Sequence, residues 1–170
     1  MRKVMCTIEN DNRYMEEALL EAHKSALIGE VPIGAVIVHD GEVVGRGHNL
    51  REHSQQAADH AEMIAIEEAN QKLGSWRLVD CTLYVTLEPC IMCSGAIINS
   101  RVERVVFGAR DPKAGAVATL YSVLNDPRLN HQVEVTEGVL AKRAGDVLKK
   151  FFKAARKRNK LKKRQQVNKS

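Results

Sequence analysis

The chain has 170 residues, 44% of them hydrophobic, enough to bury the core of one domain without disulfide or metal staples. No stretch nears the roughly 18 apolar residues of a membrane span, and four cysteines are too sparse for a disulfide scaffold. The net charge of +5 conceals an asymmetry: residues 149–170 hold 11 of the 26 lysines and arginines and no acid, leaving 15 basic against 21 acidic residues in 1–148. A mildly acidic body with a strongly basic tail points to a polyanionic partner, nucleic acid first; the alternative is a solvated terminus that aids solubility. Residues 1–15 carry only the short apolar patch Val4-Met5-Cys6 before Glu9 and Asp11. They do not read as a signal peptide, so the cytoplasm is the expected location.

Residues 10–28 set Tyr14, Met15, Ala18, Leu19, Ala22 and Ala26 at helical spacing and stop at Gly29. An apolar run follows Pro32 over 33–38, and a second strand is expected over 42–48. Asp40-Gly41 between them is a two-residue hairpin signal, so the pair should be antiparallel. Residues 51–59 are polar and aperiodic, a predicted loop. Helical spacing returns over 60–73, with Met63, Ile64, Ile66 and Ala69, and ends at Gly74. Residues 81–87 are rich in β-branched and aromatic side chains and predict a buried strand. A short helix over 90–99 and a strand over 102–107 come next. The segment 111–124 reads as a loop leading into a helix, and 133–136 as one more short strand. From Leu140 a last helix carries Leu148, Phe151, Phe152 and Ala155 on one face and runs into the basic tail. This order predicts an α/β fold, a sheet sandwiched between helices. No internal repeat is visible.

Two short segments carry the chemistry. His60-Ala61-Glu62 and Pro89-Cys90-Ile91-Met92-Cys93 each stand where a helix is expected to begin. Cys90 and Cys93, three apart, present their sulfurs on one helix face, and a helix N-terminus favours the thiolate, the form that binds metal. Two thiolates and a neutral imidazole suit tetrahedral Zn²⁺ with a fourth position left open, the mark of a catalytic site. Glu62 lies about 200° around an α-helix from His60, so the two converge only if His60 precedes the regular helix. Glu62 is then no ligand but an acid/base, moving a proton from water to a leaving amine. Other readings stay open on the residues alone. Cys90 and Cys93 could be a thioredoxin-like redox pair, or part of a structural zinc site completed by Cys81 or Cys6. His-x-Glu by itself is noise. The conjunction in this order, with Pro89 directly before Cys90, is far more specific than its parts.

His-x-Glu followed by Pro-Cys-x-x-Cys is the known signature of zinc nucleobase deaminases. Beyond it, the chain resembles the bacterial tRNA-specific adenosine deaminases, within the cytidine/deoxycytidylate deaminase superfamily. The resemblance rests on Glu30-Val31-Pro32-Ile33-Gly34-Ala35-Val36, His60-Ala61-Glu62, Leu83-Tyr84-Val85-Thr86-Leu87-Glu88-Pro89-Cys90, Val105-Val106-Phe107-Gly108-Ala109-Arg110-Asp111, Asn130-His131 and Thr136-Glu137-Gly138. It spans residues 11–153; the tail beyond is alike only in being basic. It implies a three-layer α/β/α cytidine-deaminase-like fold with a five-stranded mixed sheet, a deaminase domain over 1–153, a basic tail over 154–170, and a homodimer. It also implies one Zn²⁺ per subunit on His60, Cys90 and Cys93, and hydrolysis of the wobble adenosine of a tRNA anticodon stem-loop to inosine with loss of ammonia. An arginine tRNA is the expected substrate. The backbone of residues 88–90 is implied to help hold the leaving group and water.

By position, Asn49 resembles the residue that hydrogen-bonds the flipped base and its ribose. Glu30 and Val31 resemble pocket wall, and Ala61 a backbone contact to the base. Asp111 and Lys113 resemble the loop that meets the anticodon backbone, and Phe151 and Phe152 the C-terminal aromatics near the anticodon loop. Asp59 stands where the family commonly has alanine. Plainer readings accompany these: Asn49 as a strand-ending turn, Asp111-Pro112 as an ordinary turn, and Phe151 or Phe152 as core anchors. His131 is expected to make only a local hydrogen bond, and His23, His39, His48 and His53 to be surface residues. Two rival functions remain. One is a deaminase of free cytosine, guanine or a nucleoside, which has no use for a polyanion-binding tail. The other is a non-catalytic zinc-stabilised RNA-binding module. Adenine is favoured over cytosine by the resemblance, not by the residues alone.

Overall fold

The computed structural model describes residues 8–167, with side chains described to residue 165. Helix α1 (Ile8–Leu27) leads into the hairpin β1 (Gly34–His39) and β2 (Glu42–His48). Asp40 and Gly41 both have positive φ, 48° and 80°, the mirror-image turn whose twist matches the flanking strands. The remaining elements are α2 (Arg51–Ser54), α3 (Ala61–Leu73), β3 (Cys81–Leu87), α4 (Ile91–Asn99), β4 (Arg104–Ala109), a 3₁₀ turn (Val123–Asn125), β5 (Glu134–Glu137) and α5 (Ala141–Val167). The strands form one sheet in the order β2-β1-β3-β4-β5. β1 is antiparallel to β2 and β3, whereas β3, β4 and β5 run parallel. The expected five-stranded mixed sheet is present.

Strand alternation sorts the side chains into two layers. Ala35, Ile37, Leu83, Val85, Val105 and Phe107 pack with Ala61, Ala65, Ile66, Ala69, Ile97 and Ile98 of α3 and α4. Val36, Val38, Tyr84 and Val106 turn to the other face, against Tyr14, Met15 and Ala18 of α1 and against Leu140, the residue before α5. Successive residues of a strand point to opposite faces, so one run of β-branched residues supplies both layers. Phe107 is fully buried, a position at which a large apolar side chain contributes about 1.5–3 kcal/mol. Asp11 ties α1 to the sheet: its carboxylate accepts from both terminal nitrogens of Arg104, each at 2.8 Å, and from the Tyr84 hydroxyl at 2.9 Å. No helix among the described residues is long and apolar enough to cross a membrane.

Two predicted loops differ from expectation. Residues 51–59 contain the one-turn helix α2, and residues 111–124 hold no α-helix, only a coiled loop ending in the 3₁₀ turn. Both are organised by buried carboxylates from distant segments. Glu30 accepts the His53 amide, and Glu88 accepts the amides of Asp111, Val117, Ala118 and Thr119. A four-residue helix has no apolar period to detect, and a loop wound round a remote carboxylate has no local signal.

β2 approaches α3 through Gly45 and Gly47. A Cβ at Gly47 would stand 2.0 Å from the Ala61 carbonyl oxygen, backbone that cannot swing aside. Gly47→Ala is therefore expected to lower stability by at least about 1–3 kcal/mol and to displace the first turn of α3, next to His60. Thermal unfolding with metal content measured on the same sample checks this. A protein with unchanged stability and metal uptake would refute it.

Candidate active site

Helices α3 and α4 begin at the same end of the sheet. His60 is the N-cap of α3 (φ −81°, ψ 155°) and Cys90 the N-cap of α4 (φ −76°, ψ 176°), both in extended backbone. The position of His60 ahead of the regular helix resolves the 200° problem, because its imidazole is free of the helical screw that directs Glu62. The imidazole Nδ1 lies 3.6 Å from the sulfurs of both Cys90 and Cys93. Their donor atoms all fall within 4.8 Å of one another, and among the described residues no fourth side chain joins them. Cys81 is buried at the start of β3 as a packed thiol, its pKa pushed up to about 12 by burial. Cys6 lies outside the described residues.

The donor set fits a small thiophilic dication. Two sulfurs and one imidazole nitrogen satisfy three corners of a tetrahedron and leave one for a non-protein ligand. The charge distribution agrees. Hydrogen bonding with Cys93, followed by that with His60, pulls the Cys90 thiol down to about 3 against the cost of its burial. Bonding to Cys90 and then burial push Cys93 the other way. The same bond to Cys90 raises the His60 pKa. Cys90 is thus the sulfur favoured as a thiolate, with the Cys93 thiol and the His60 imidazole bonded to it.

Glu62, in the first turn of α3, is 4% exposed, and burial lifts its carboxyl to about 7. A carboxyl poised near neutrality can accept a proton and return it at the same pH.

His60 and Cys90 open into a cleft of about 730 Å³, with Cys93 buried behind them. Val31, Asn49, His60, Ala61, Glu62 and Cys90 line it, with Asp111 and Lys113 on the loop opposite and Phe152 from α5. Glu30 does not line it. This carboxylate is buried behind Asn49, whose Nδ2 donates to Glu30 Oε2 at 3.1 Å and to the Val31 carbonyl at 3.4 Å. With the amide nitrogen held, Asn49 Oδ1 is the atom left for a ligand. Asp111 is partly occupied as a turn cap, its Oδ1 accepting the amides of Lys113 and Ala114 at 2.9 and 3.2 Å. Phe151 meets the Phe152 ring edge-on with centroids 5.5 Å apart, but is half-buried and absent from the cleft lining. Asp59 is likewise absent from it. His131 Nε2 lies 2.7 Å from the Val102 carbonyl, a local tether.

Several lining residues were not anticipated from the sequence. Arg51, Arg110, Lys149 and Arg156 join Lys113 at the rim. Lys149, Phe152 and Arg156 recur at i, i+3 and i+7, a spacing that places them on one face and could have singled them out. The Glu88 side chain was also missed. It is 2% exposed and accepts four backbone amides at 2.7–3.1 Å together with the Thr119 hydroxyl. Burial raises its pKa, but the bonds from Thr119, Ala118 and Asp111 outweigh this and hold the carboxyl below its ordinary value. Its place directly before Pro89-Cys90 was the available signal.

Comparison with known proteins agrees with this geometry. A family model for MafB19-like deaminases matches residues 9–156. The chain is 55% identical over 150 residues to a tRNA-specific adenosine deaminase of Bacillus subtilis, covering 88% of this chain and 93% of that one. It is 52% identical over 155 residues to a tRNA-specific adenosine deaminase of Streptococcus pyogenes, covering 91% of each. A solved chain from work on A-to-I editing by tRNA:A34 deaminases at the wobble position of transfer RNA superposes with a TM-score of 0.77 at 40% identity, covering 80% of this chain and 99% of that one. With 52% and 55% identity to these two deaminases over 91% and 88% of its length, the chain belongs to the tRNA-specific adenosine deaminase family.

Proposed function

We propose that the protein hydrolyses the wobble adenosine of a tRNA anticodon, an arginine tRNA first among candidates, to inosine with release of ammonia. The observation that carries this reading is a cleft with a His-Cys-Cys cluster and a buried acid at its floor, and Arg51, Arg110, Lys113, Lys149 and Arg156 at its rim. A free base or nucleoside needs the floor but not the rim. A non-catalytic RNA module needs the rim but has no use for a carboxyl poised near neutrality beside an open ligand position. The anticodon loop is already unpaired, so drawing one base into the cleft costs less than opening a duplex.

His60, Cys90 and Cys93 would hold one Zn²⁺ per subunit. When bound, the ion supplies Lewis acidity that can bring the pKa of water from about 15.7 to roughly 7. The chain's own residues do the rest. Glu62 takes a proton from a water admitted to the cleft. The water oxygen adds to the ring carbon that bears the amine, the C–N bond breaks, and Glu62 hands the proton to the departing nitrogen. Atoms balance as adenosine plus water giving inosine plus ammonia. Ala61 offers its backbone to the base. Asn49, fixed from behind by Glu30, offers Oδ1, and Val31 closes the wall. Glu88 holds the loop that carries Asp111 and Lys113 towards the anticodon backbone, and Phe152 presents a ring to loop bases, with Phe151 packed behind it.

Residues 1–153 form the deaminase unit in this reading and 154–170 its basic extension. The protein acts in the cytoplasm as a homodimer. Ile91, Leu120 and Tyr121, all more than half exposed close to the Cys90–Gly115 bridge, support an apolar face for a second copy.

Three measurements test the proposal. Glu62→Gln is expected to retain zinc at the wild-type level and to lose about 10²–10⁴-fold in kcat; a variant that stays active would remove Glu62 from the chemistry. Asn49→Ala is expected to keep zinc and to lower kcat/KM about tenfold, the worth of one buried hydrogen bond. An unchanged ratio would return Asn49 to a structural role. Ammonia release should be rapid with tRNA from the protein's own organism, with inosine appearing at the wobble position, and slow with free adenosine, cytidine and guanine. The opposite ranking would make the protein a small-molecule deaminase.

A further inference from the structure

Along the first part of α5, Ala144, Leu148, Phe151 and Ala155 form the seam that faces the body, Ala144 buried and the others half-buried. The seam stops there. Every side chain from residue 156 to 165 is exposed, and the positions that continue it are Arg158 and Lys162. A second row does not stop. Lys149, Lys153, Arg156, Lys160 and Lys163 follow one another at intervals of 4, 3, 4 and 3 residues, so at about 100° per residue they fall in one stripe roughly 80° wide. Lys149 and Arg156 line the cleft. The stripe therefore starts at the cleft mouth, and the 14 steps from Lys149 to Lys163 carry it about 21 Å along the helix axis.

None of the five cations is in an ion pair among the described residues. The chain has no carboxylate side chain after Asp146, which is paired with Lys142 at 2.7 Å. Like charges at these spacings work against the helix that displays them, and a polyanion laid along the stripe relieves that repulsion. A nucleic acid duplex offers about one negative charge per 1.7 Å of axis, ample for a row this dense. The far side of the helix argues against a membrane: between 156 and 165 Leu161 is the single apolar residue, so there is no apolar face to enter lipid.

We infer that the α5 stripe is a rail for the paired anticodon stem, gripping phosphates outside the loop while the cleft takes the loop itself. This rests on the tRNA reading above and extends it by assigning a separate part of the substrate to named residues outside the catalytic cleft. The rail makes affinity depend on the stem being double-stranded, without any contact to the edited base.

The test uses the full-length zinc-loaded protein. Lys153, Lys160 and Lys163 are changed together to Gln in one variant. Lys150, Arg158 and Lys162, which lie off the stripe, are changed to Gln in another. Both lose three charges and keep good helix formers, and zinc content and helical circular dichroism confirm folding. Binding is measured against salt, from about 50 to about 200 mM, for an anticodon stem-loop and for its loop nucleotides as a bare single strand. On the stem-loop, the slope of log Kd against log salt should fall by roughly 2–3 in the stripe variant and by less than about 1 in the control. On the bare strand the two variants should match each other.

Equal slopes for both variants on the stem-loop would overturn the rail in favour of diffuse attraction. An equal loss by the stripe variant on the bare strand would overturn it in favour of loop contact. Stripe-dependent binding to phosphatidylserine vesicles with an unchanged RNA slope would overturn it in favour of a membrane. Inosine formation, scored separately on the intact tRNA, keeps the two ideas apart. Inosine with flat slopes defeats the rail alone, and a stripe-dependent slope without inosine defeats the editing proposal alone.

Discussion

An α-helix begins with amide N–H groups that have no intrahelical partner, and here two helices present such ends to one place. α3 and α4 start at His60 and Cys90, and neither start is capped by a side-chain oxygen. The partial positive charge of both helix ends is therefore available to whatever anion lies between them. Cys90 and Cys93 occupy that position. Much else in the fold serves this juxtaposition: the parallel β3–α4–β4 unit sets the start of α4, and the glycines of β2 let α3 lie close enough for His60 to meet the sulfurs. A shift of one helix by one residue would carry its ligand about 100° away.

The same geometry explains why the site needs its unusual number of buried acids. Glu30, Glu62 and Glu88 are each 4% exposed or less, yet they do different work because their surroundings differ. Glu88 is saturated by amides, which stabilise its charge, so it stays ionised and acts as a fixed post for the 111–119 segment. Glu30 holds Asn49 and the His53 amide, fixing one amide side chain and one helical turn. Glu62 lacks that saturation; burial dominates and leaves it poised. Counting the donors aimed at each tells the two charged, positioning acids from the one that the proposed mechanism uses as its acid/base.

Those differences also mark how far the sequence could be read. The hairpin, the sheet layers and the pairing of Cys90 with Cys93 were legible because each depends on local spacing: Asp40-Gly41 for the turn, period two in Val105–Phe107, and Cys90 three before Cys93. The α2 turn and the 111–124 loop were not, since their shape is set by Glu30 and Glu88 from more than twenty residues away in the chain. The Glu30 position illustrates the limit well. Its place in a matching segment marked it as important, but only the fold shows that it stands behind Asn49 and not in the wall. Phe151 and Phe152 are adjacent in sequence and differ by about 100° on the helix, enough to put one ring in the cleft and its neighbour outside it.

The length of α5 beyond the body follows from the same reasoning about cost. A helix of this length holds where an apolar face is buried, and that face ends at Ala155. Beyond it, self-repelling cations occupy both the stripe and the former seam, so packing against the deaminase body gives no account of the extension. Chemistry at the cleft floor requires rigidity, which the sheet and two helix starts supply. Holding an extended polyanion such as a paired stem requires many weak contacts spread over distance, which a compact floor cannot supply. In the proposed reading α5 meets the cleft at Lys149 and Arg156 and carries the outer cations away from it, so affinity can vary through them without disturbing the starts of α3 and α4 at the cleft floor.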